Sequence, residues 1–120
     1  MNMIKIYGIP NCDTIKKTLD WFKANNISYE FHDYKKEGIT PTTLKSWFKQ
    51  VGIDVIINKN STTLKALSKE EQQALTNPKE AIAIILKNES IIRRPVIEAG
   101  GAVVMVGFKK DLYDLKLKNL

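Results

Sequence analysis

The chain has 120 residues, of which 43% are hydrophobic and 27% charged, a balance that excludes disorder, collagen and coiled coil. At this length we expect one domain, residues 1–120, that folds without a metal or a disulfide. The net charge of +6 favours anionic partners in general. The basic residues are scattered among acidic and polar neighbours, however, so direct nucleic-acid binding is not expected.

The first part of the chain predicts a strand, a helix and a second strand. Met3 to Tyr7 alternates apolar and polar residues, as a strand does. After a loop rich in turn residues, Asp13 or Thr14 can cap a helix that runs to about Ala24. Ile27 to His32 predicts the second strand. Two strands joined by a helix in this way are expected to be parallel.

Residues 40–92 predict a block of helices. Thr40 and Pro41 open the first of them, and Gly52 closes it. Val55 to Ile57 fits either a short helix or a strand. Further helices are predicted at Thr62 to Leu67, Lys69 to Leu75 and Pro78 to Leu86.

The end of the chain returns to strands. Pro95 to Glu98 and Ala102 to Val106 flank Ala99-Gly100-Gly101, which has the composition of a tight hairpin turn. Asp111 to Leu117 predicts a short closing helix. The order βαβ, helical insertion, ββα predicts an α/β fold, a thioredoxin-like four-stranded mixed sheet covered by helices.

The sequence predicts no membrane segment and no targeting segment. The longest apolar runs, Ala81 to Leu86 and Ala102 to Val106, are far shorter than the ~20 residues that span a bilayer. No signal-like pattern precedes the first strand. We therefore expect a cytoplasmic protein without a membrane partner.

Cys12 is the main candidate for a reactive residue. It lies just before a helix, where free N–H groups and the helix dipole stabilise a thiolate and lower its pKa. Lys16 and Lys17 in the first turn would help to keep it charged. Thr14 is either a cap or a hydroxyl donor to the thiolate. The alternative, a structural cysteine beside two solvent lysines, is equally compatible with this position.

Arg93, Arg94 and Pro95 precede the hairpin. Proline forces Arg94 into an extended conformation and lacks an N–H, so Pro95 should begin a strand. Neighbouring residues of an extended chain point to opposite sides, so one arginine can face an anion while the other faces solvent. In a thioredoxin-like layout, we expect a cis Arg94–Pro95 bond beside Cys12. Two solvent arginines are the simpler alternative.

The polar segment from Asn58 to Thr63 has two interpretations. Asn60 or Ser61 could cap the next helix, which is the simpler one. Alternatively, the segment lines the thiol site, with Lys59 as an anion contact. His32 fits an ordinary polar residue at a strand end. With one cysteine and one histidine, no metal site is expected.

Together these motifs resemble the arsenate reductase-related family, which also contains the Spx-type regulators of RNA polymerase. The matching segments keep the same order across nearly the whole chain: Ile4 to Lys17, Asp33 to Gly38, Asn58 to Thr63, Arg93 to Ile97 and Val106 to Phe108. The chain is most similar to the short, single-cysteine branch described as arsenate reductases or glutathione-dependent thiol reductases. The family fold is thioredoxin-like with an inserted helical region.

The resemblance also implies roles for individual residues. In the family's arsenate reductases a cysteine attacks arsenate and three arginines hold the oxyanion. The cysteine corresponds to Cys12, and the arginine before proline to Arg94. The other two arginine positions fall at about Asn58 and Gly107. Asparagine does not replace the bidentate contacts of arginine, so arsenate turnover is not expected.

The resemblance therefore implies a thiol oxidoreductase-like protein with Cys12 as nucleophile and Arg94 as its anion-stabilising partner. The expected anion- and substrate-binding residues are Lys16, Lys59, Asn58, Thr14 and Pro95. No bound cofactor is expected. Because the chain has one cysteine, glutathione or a glutaredoxin-like protein would have to release the enzyme thiol.

Two alternatives remain. The Arg-Arg-Pro and Val-Gly-aromatic segments are similar to those of Spx-type regulators, which implies an RNA polymerase-binding regulator without catalysis. Many of these regulators carry a Cys-x-x-Cys switch, which cannot form in this chain because Ile15 stands three residues after Cys12. The other alternative is arsenate reductase proper.

Overall fold

The computed structural model describes residues 3–118. The expectation that no signal pattern opens the chain rests partly on Met1 and Asn2, which lie outside the described residues. Among the described helices, none combines the length and the apolar character that a bilayer crossing requires.

The elements follow the predicted order. They are β1 (Ile4–Gly8), α1 (Asp13–Ala24), β2 (Glu30–Asp33), α2 (Tyr34–Glu37), α3 (Pro41–Val51), α4 (Ile53–Ile56), α5 (Thr62–Lys65), α6 (Lys69–Ala74), α7 (Pro78–Lys87), a 3-10 turn (Glu89–Ile91), β3 (Val96–Ala99), β4 (Ala102–Val106) and α8 (Lys110–Lys116). The strands form one sheet in the order β2-β1-β3-β4. β1 is parallel to β2 and antiparallel to β3, and β4 is antiparallel to β3. The predicted thioredoxin-like mixed sheet is confirmed.

The described chain divides into two compact units. Residues 3–37 and 94–118 form the first, which we call the sheet unit. It contains the sheet with α1, α2 and α8. Gly38–Arg93 form the second, the helical unit, which contains α3 to α7 and the 3-10 turn.

A cluster of buried aromatic and aliphatic side chains forms the core of the sheet unit. Ile6 and Ile97 face each other across β1 and β3 and are fully buried. Phe22 of α1 and Tyr113 of α8 belong to the same cluster, with ring centroids 6.3 Å apart. Burial of each such side chain contributes roughly 1.5–3 kcal/mol. This packing fixes α1, and therefore its N-terminal end, against the sheet.

The hairpin between β3 and β4 turns at Gly100 and Gly101. Both have positive φ angles, of 58° and 87°. A two-residue turn of this kind matches the twist of the strands, and it needs residues that tolerate positive φ. The hairpin predicted from the glycine pair is confirmed.

Polar side chains cap four helices of the helical unit, α3, α5, α6 and α7. Thr40 accepts a hydrogen bond from the Thr43 amide at the start of α3. Ser68 and Glu71 form a reciprocal capping box on α6, which satisfies two N-terminal N–H groups. Of the two cap residues expected for α5, Asn60 and Ser61, it is Ser61 that caps the helix, since its hydroxyl accepts a hydrogen bond from the Leu64 amide. The core of the unit contains the buried side chains of Leu44, Trp47, Ile56, Ile82, Ile85 and Ile91.

The structure differs locally from the predictions at three places. β2 begins at Glu30 and not at Ile27, because the Ile27 amide still bonds to the Phe22 carbonyl, 3.0 Å away, at the end of α1. The helix α2 was not predicted. It forms because Asp33 accepts hydrogen bonds from the amides that begin this turn. The ambiguous Val55 to Ile57 segment divides, with α4 ending at Ile56 and Ile57 forming a single bridge to Ile92.

Candidate functional site

Cys12 is itself the residue that precedes α1. Its backbone is extended, with φ −119° and ψ 128°, and the helix begins at Asp13. The prediction that Asp13 or Thr14 occupies the cap position is therefore wrong by one or two residues. The cysteine sulfur takes the place that a serine or aspartate oxygen usually has, next to the first free N–H groups of the helix.

Opposing effects act on the Cys12 thiol, and those that stabilise the thiolate prevail. Burial acts to raise its pKa. The backbone N–H groups of Ile15 and Thr14, together with the charge and the side-chain hydrogen bond of Arg94, lower it below its ordinary value. The predicted low pKa of Cys12 is confirmed in direction. Its causes are helix amides and an arginine, and not the predicted contributions of Lys16 and Lys17.

Arg94 and Pro95 reach the same site from the other end of the chain. The Arg94–Pro95 bond is cis, as predicted. Pro95 is buried, and its carbonyl accepts a hydrogen bond of 2.8 Å from the Gly107 amide. Gly107, which follows β4, has a φ of 84°, and its hydrogen bond ties the end of this strand to the proline. The side chain of Arg94 forms a hydrogen bond with the Cys12 thiol, and its positive charge favours the thiolate.

A groove of about 490 Å³ opens beside Cys12. Lys16 lines it, as does the loop before the cysteine. Its remaining lining residues are Pro10, Asn11, Asp13, Ile15, Leu19, Asp20, Lys23 and Phe31. Leu19, Asp20 and Lys23 line the groove but were not predicted to do so. The available signal was their helical spacing, since Leu19 follows Ile15 by four residues, Asp20 follows Lys16 by four and Lys23 follows Asp20 by three.

A second groove shares part of its lining with the first. It has a volume of about 500 Å³ and is also lined by Pro10 and Asn11. Lys35 and Lys36 of α2 line it with Ile9 and Asp33. Asn11, common to both grooves, has a left-handed backbone with φ 63°, a conformation that asparagine tolerates better than most residues. The loop before Cys12 thus contributes Pro10 and Asn11 to both grooves.

Thr14 contributes to the site through its backbone. Its amide acts on the Cys12 thiol. Its carbonyl accepts a hydrogen bond of 2.8 Å from the hydroxyl of Thr18, inside the first turns of α1. The contact of the Thr14 hydroxyl with the thiolate stays a prediction.

The predicted anion contacts Asn58 and Lys59 belong to the helical unit. The Asn58 amide donates to the Ile91 carbonyl at 2.8 Å, and its side-chain oxygen accepts from the Asn60 amide at 3.0 Å. The ammonium of Lys59 lies 3.7 Å from the carboxylate of Asp54. Their predicted role toward an anion at Cys12 stays a prediction.

His32 packs against an aromatic ring and has an acidic neighbour. Its ring centroid lies 4.8 Å from that of Tyr7, and its Nδ1 lies 3.8 Å from the carboxylate of Glu37. Within residues 3–118, no group of three or more histidine, cysteine or acidic side chains is arranged to hold a metal ion.

Comparison with known proteins identifies related sequences over almost the whole chain. Residues 7–115 match the ArsC family. An uncharacterised protein of Haemophilus influenzae is 37% identical over 111 residues, which cover 92% of this chain and 96% of that protein.

Relatives of lower sequence identity include proteins named as regulators. The regulatory protein MgsR of Bacillus subtilis is 27% identical over 96 residues, covering 78% of this chain and 75% of that protein. The global transcriptional regulator Spx of Lactococcus lactis is 26% identical over 97 residues, covering 79% and 72% of the two chains.

Two solved structures are similar in both sequence and fold. A protein called YffB superposes with a TM-score of 0.87 at 37% identity, over 96% of this chain and 99% of the other. An arsenate reductase (ArsC) related protein from Brucella melitensis gives a TM-score of 0.75 at 37% identity, over 94% and 92% of the two chains.

Proposed function

This chain belongs to the ArsC family, and we propose that it is a cytoplasmic thiol oxidoreductase in which Cys12 attacks a small disulfide or another oxidised substrate. Glutathione or a glutaredoxin-like protein then regenerates the thiol. The observation that carries the proposal is the Cys12 thiol itself, whose pKa is lowered by two helix amides and Arg94 at the edge of an open groove.

The chemistry divides into two exchange steps. The Cys12 thiolate attacks one sulfur of a disulfide, a new bond forms between Cys12 and that sulfur, and the second sulfur leaves as a thiolate. An external thiolate then attacks the substrate sulfur of the mixed disulfide, and Cys12 leaves with the bonding electron pair. The second step needs an external thiol because Cys12 is the only cysteine of the chain.

Each proposed site residue has a distinct part. Arg94 and the amide of Thr14 stabilise the thiolate as nucleophile and as leaving group. Lys16 and the buried Pro95 form part of the surroundings of a bound substrate, and Asn58 and Lys59 are proposed as further anion contacts.

The direct test is the intact mass of the protein after treatment with glutathione disulfide. We expect one added glutathione per chain, removed again by excess reduced glutathione, and no addition to the Cys12→Ser variant. Absence of the adduct on the folded wild-type protein would overturn the proposal.

A second candidate function is that of a transcriptional regulator that binds RNA polymerase without catalysis. The names of two relatives, the regulatory protein MgsR and the global transcriptional regulator Spx, favour a regulatory role. A pull-down with purified RNA polymerase tests it, with the Cys12→Ser variant as the control. Retention of polymerase by both the wild type and the Cys12→Ser variant would support the regulatory function. Retention by neither would contradict it.

A further inference from the structure

Tyr113 places a hydroxyl group within the buried core of the sheet unit. The side chain is fully buried, and its ring packs edge-on against those of Trp21 and Phe108, with ring centroids 5.3 and 4.8 Å apart. Phenylalanine would fill the same ring position. The hydroxyl adds nothing to this apolar packing, and its burial costs free energy unless it is hydrogen-bonded. Its role therefore lies in its hydrogen-bond partners.

The first partner is the carbonyl of Gly107, to which the Tyr113 hydroxyl donates a hydrogen bond. The Gly107 amide donates in turn to the Pro95 carbonyl, at 2.8 Å. Gly107 is thus held through the peptide groups on both of its sides, at a φ of 84° that glycine adopts readily. Arg94 directly precedes Pro95, and its side chain forms a hydrogen bond with the Cys12 thiol. A chain of contacts therefore runs from the buried hydroxyl to the reactive sulfur.

The second partner belongs to α1. The hydroxyl of Thr18, which is also fully buried, forms a hydrogen bond with the Tyr113 hydroxyl. Thr18 has one hydroxyl proton and two acceptors for it, because its oxygen also lies 2.8 Å from the Thr14 carbonyl. The Thr14 amide is one of the groups that stabilise the Cys12 thiolate. Tyr113 is therefore linked to both segments that act on Cys12, the first turns of α1 and the segment that precedes β3.

We propose that Tyr113 is a positioning residue, whose hydroxyl fixes the segment of Arg94 and Pro95 relative to the N-terminal end of α1 and so holds the guanidinium against the Cys12 sulfur. The inference rests on the proposed function, because it assigns a further residue to the same thiol site. Ordering an arginine side chain costs conformational entropy, so its contact with the thiolate depends on how firmly its backbone is held. A displacement of about 1 Å is enough to weaken such a contact.

The test begins with Tyr113→Phe, which keeps the ring and removes the hydroxyl. We expect the midpoint of the pH profile for Cys12 alkylation to rise by about 0.3–0.7 units, less than for Arg94→Gln, which leaves about two- to fivefold less thiolate below the midpoint. Iodoacetamide labelling gives the midpoint, and the ultraviolet absorbance of the thiolate gives it independently, because Cys12 is the only cysteine. Burial raises the pKa of Tyr113, so its own hydroxyl stays protonated while the thiol titrates.

A double-mutant cycle shows whether Tyr113 acts through Arg94. In the Arg94→Gln background, Tyr113→Phe should move the midpoint by no more than about 0.1 units, because the group that the tyrosine positions is absent. The charged side chains that line the groove beside Cys12 are the same in all these variants: Asp13, Lys16, Asp20 and Lys23.

Tyr7→Phe is the matched control, because it removes another buried tyrosine hydroxyl from the sheet unit. The Tyr7 hydroxyl donates to the Glu98 carboxylate at 3.1 Å. The control variant should lower the melting temperature but keep the wild-type midpoint. Circular dichroism confirms that each variant is folded.

Amide exchange measured by NMR tests the same contacts without relying on a variant. The Gly107 amide, which is bonded to the Pro95 carbonyl, should exchange slowly with solvent in the wild-type protein. In Tyr113→Phe it should exchange faster, because the Gly107 carbonyl has lost the hydrogen bond from the tyrosine.

The outcomes separate this inference from the proposed function. A wild-type midpoint in folded Tyr113→Phe, an undiminished shift in the Arg94→Gln background, an equal shift in Tyr7→Phe, or rapid exchange of the wild-type Gly107 amide would overturn the inference. The glutathione adduct is measured on the same preparations. If the midpoint shifts as expected but wild-type Cys12 forms no adduct, the oxidoreductase proposal is overturned and the positioning role of Tyr113 stands.

Discussion

The thiol of Cys12 is stabilised as an anion by groups on two different segments. The amides of Ile15 and Thr14 come from α1, and the guanidinium of Arg94 precedes β3. The effect of the backbone amides cannot be removed by substituting a side chain. The effect of Arg94 can, because its side chain is not part of the helix. Arg94 therefore offers a way to measure one contribution separately.

We predict that Arg94→Gln raises the midpoint of the pH profile for alkylation of Cys12. The guanidinium favours the thiolate, so its removal must move the pKa upward. The rate of iodoacetamide labelling as a function of pH gives the midpoint. Arg93→Gln is the matched control, because the Arg93 Nε donates to the Val55 carbonyl at 3.1 Å within the helical unit. Equal midpoints for wild type and Arg94→Gln would contradict the assignment.

The interaction of Arg94 with the Cys12 thiol was predictable from the sequence, but the helix amides as the other cause of the lowered pKa were not. A cysteine before a helix and an arginine before a proline are visible in the sequence. The actual cap position was missed because Asp13 and Thr14 have the stronger cap preference, and only the backbone angles place Cys12 there. Because Lys16 and Lys17 are near Cys12 in sequence, we expected them to stabilise the thiolate. The helix amides and Arg94 stabilise it instead.

The junction of β1 and α1 depends on a close approach at Gly8. A Cβ atom at this position would overlap Cδ1 of Ile15 and lie 3.0 Å from its Cγ1. Ile15 is 2% exposed, so its side chain has little room to move aside. The absence of a side chain at Gly8 lets the first turn of α1, and with it Cys12, lie against the end of the strand.

We predict that Gly8→Ala destabilises the protein by about 1–3 kcal/mol, the usual cost of overpacking a filled site. Urea denaturation gives the free energy of unfolding. In the Ile15→Val background, which lacks the overlapping methyl group, the same substitution should cost clearly less. An equal cost in both backgrounds would show that the overlap with Ile15 is not the cause.

The start of α7 depends on Asn77. Its side-chain oxygen accepts hydrogen bonds from the amides of Lys79 and Glu80, at 3.0 and 3.3 Å. We predict that Asn77→Ala lowers the free energy of unfolding by about 1 kcal/mol, because both amides lose their partner. Asn77→Asp keeps the acceptor and should lie close to wild type in the same denaturation experiment. A similar loss in both variants would contradict the capping role.

The larger elements were predictable because they carry periodic apolar residues and clear ends. The helix Pro41–Val51 has a threonine cap, a proline in its first turn and a glycine after its last residue. Two of the short elements were not predictable, although α5 and α6 were. The helix Tyr34–Glu37 depends on hydrogen bonds that the Lys35 and Lys36 amides donate to the Asp33 carboxylate. The 3-10 turn Glu89–Ile91 has too few residues for any periodicity to show.

At the scale of the whole molecule, the number and positions of the arginines determine how well an oxyanion can be bound. The chain has two, Arg93 and Arg94. Arg94 acts on the Cys12 thiol, and Arg93 donates to a carbonyl of the helical unit. The positions where the family resemblance implies further arginines hold Asn58 and Gly107. The positive charge of the molecule is thus carried mainly by lysines, which act as point charges without bidentate geometry.

We predict that the purified protein reduces arsenate at or near the background rate, while it still forms a mixed disulfide with glutathione. Arsenate carries two negative charges toward a thiolate, and that approach needs charge-assisted contacts in the transition state. Each such contact is worth roughly 1.5–3 kcal/mol, so the absence of two costs roughly 3–6 kcal/mol. That corresponds to about two to four orders of magnitude in rate. Arsenate-dependent turnover with glutathione and glutaredoxin measures it, and the glutathione adduct on the same preparation shows that the thiol is active. Robust turnover would mean that lysines or backbone amides replace the arginines, and that arsenate reductase proper is the correct assignment.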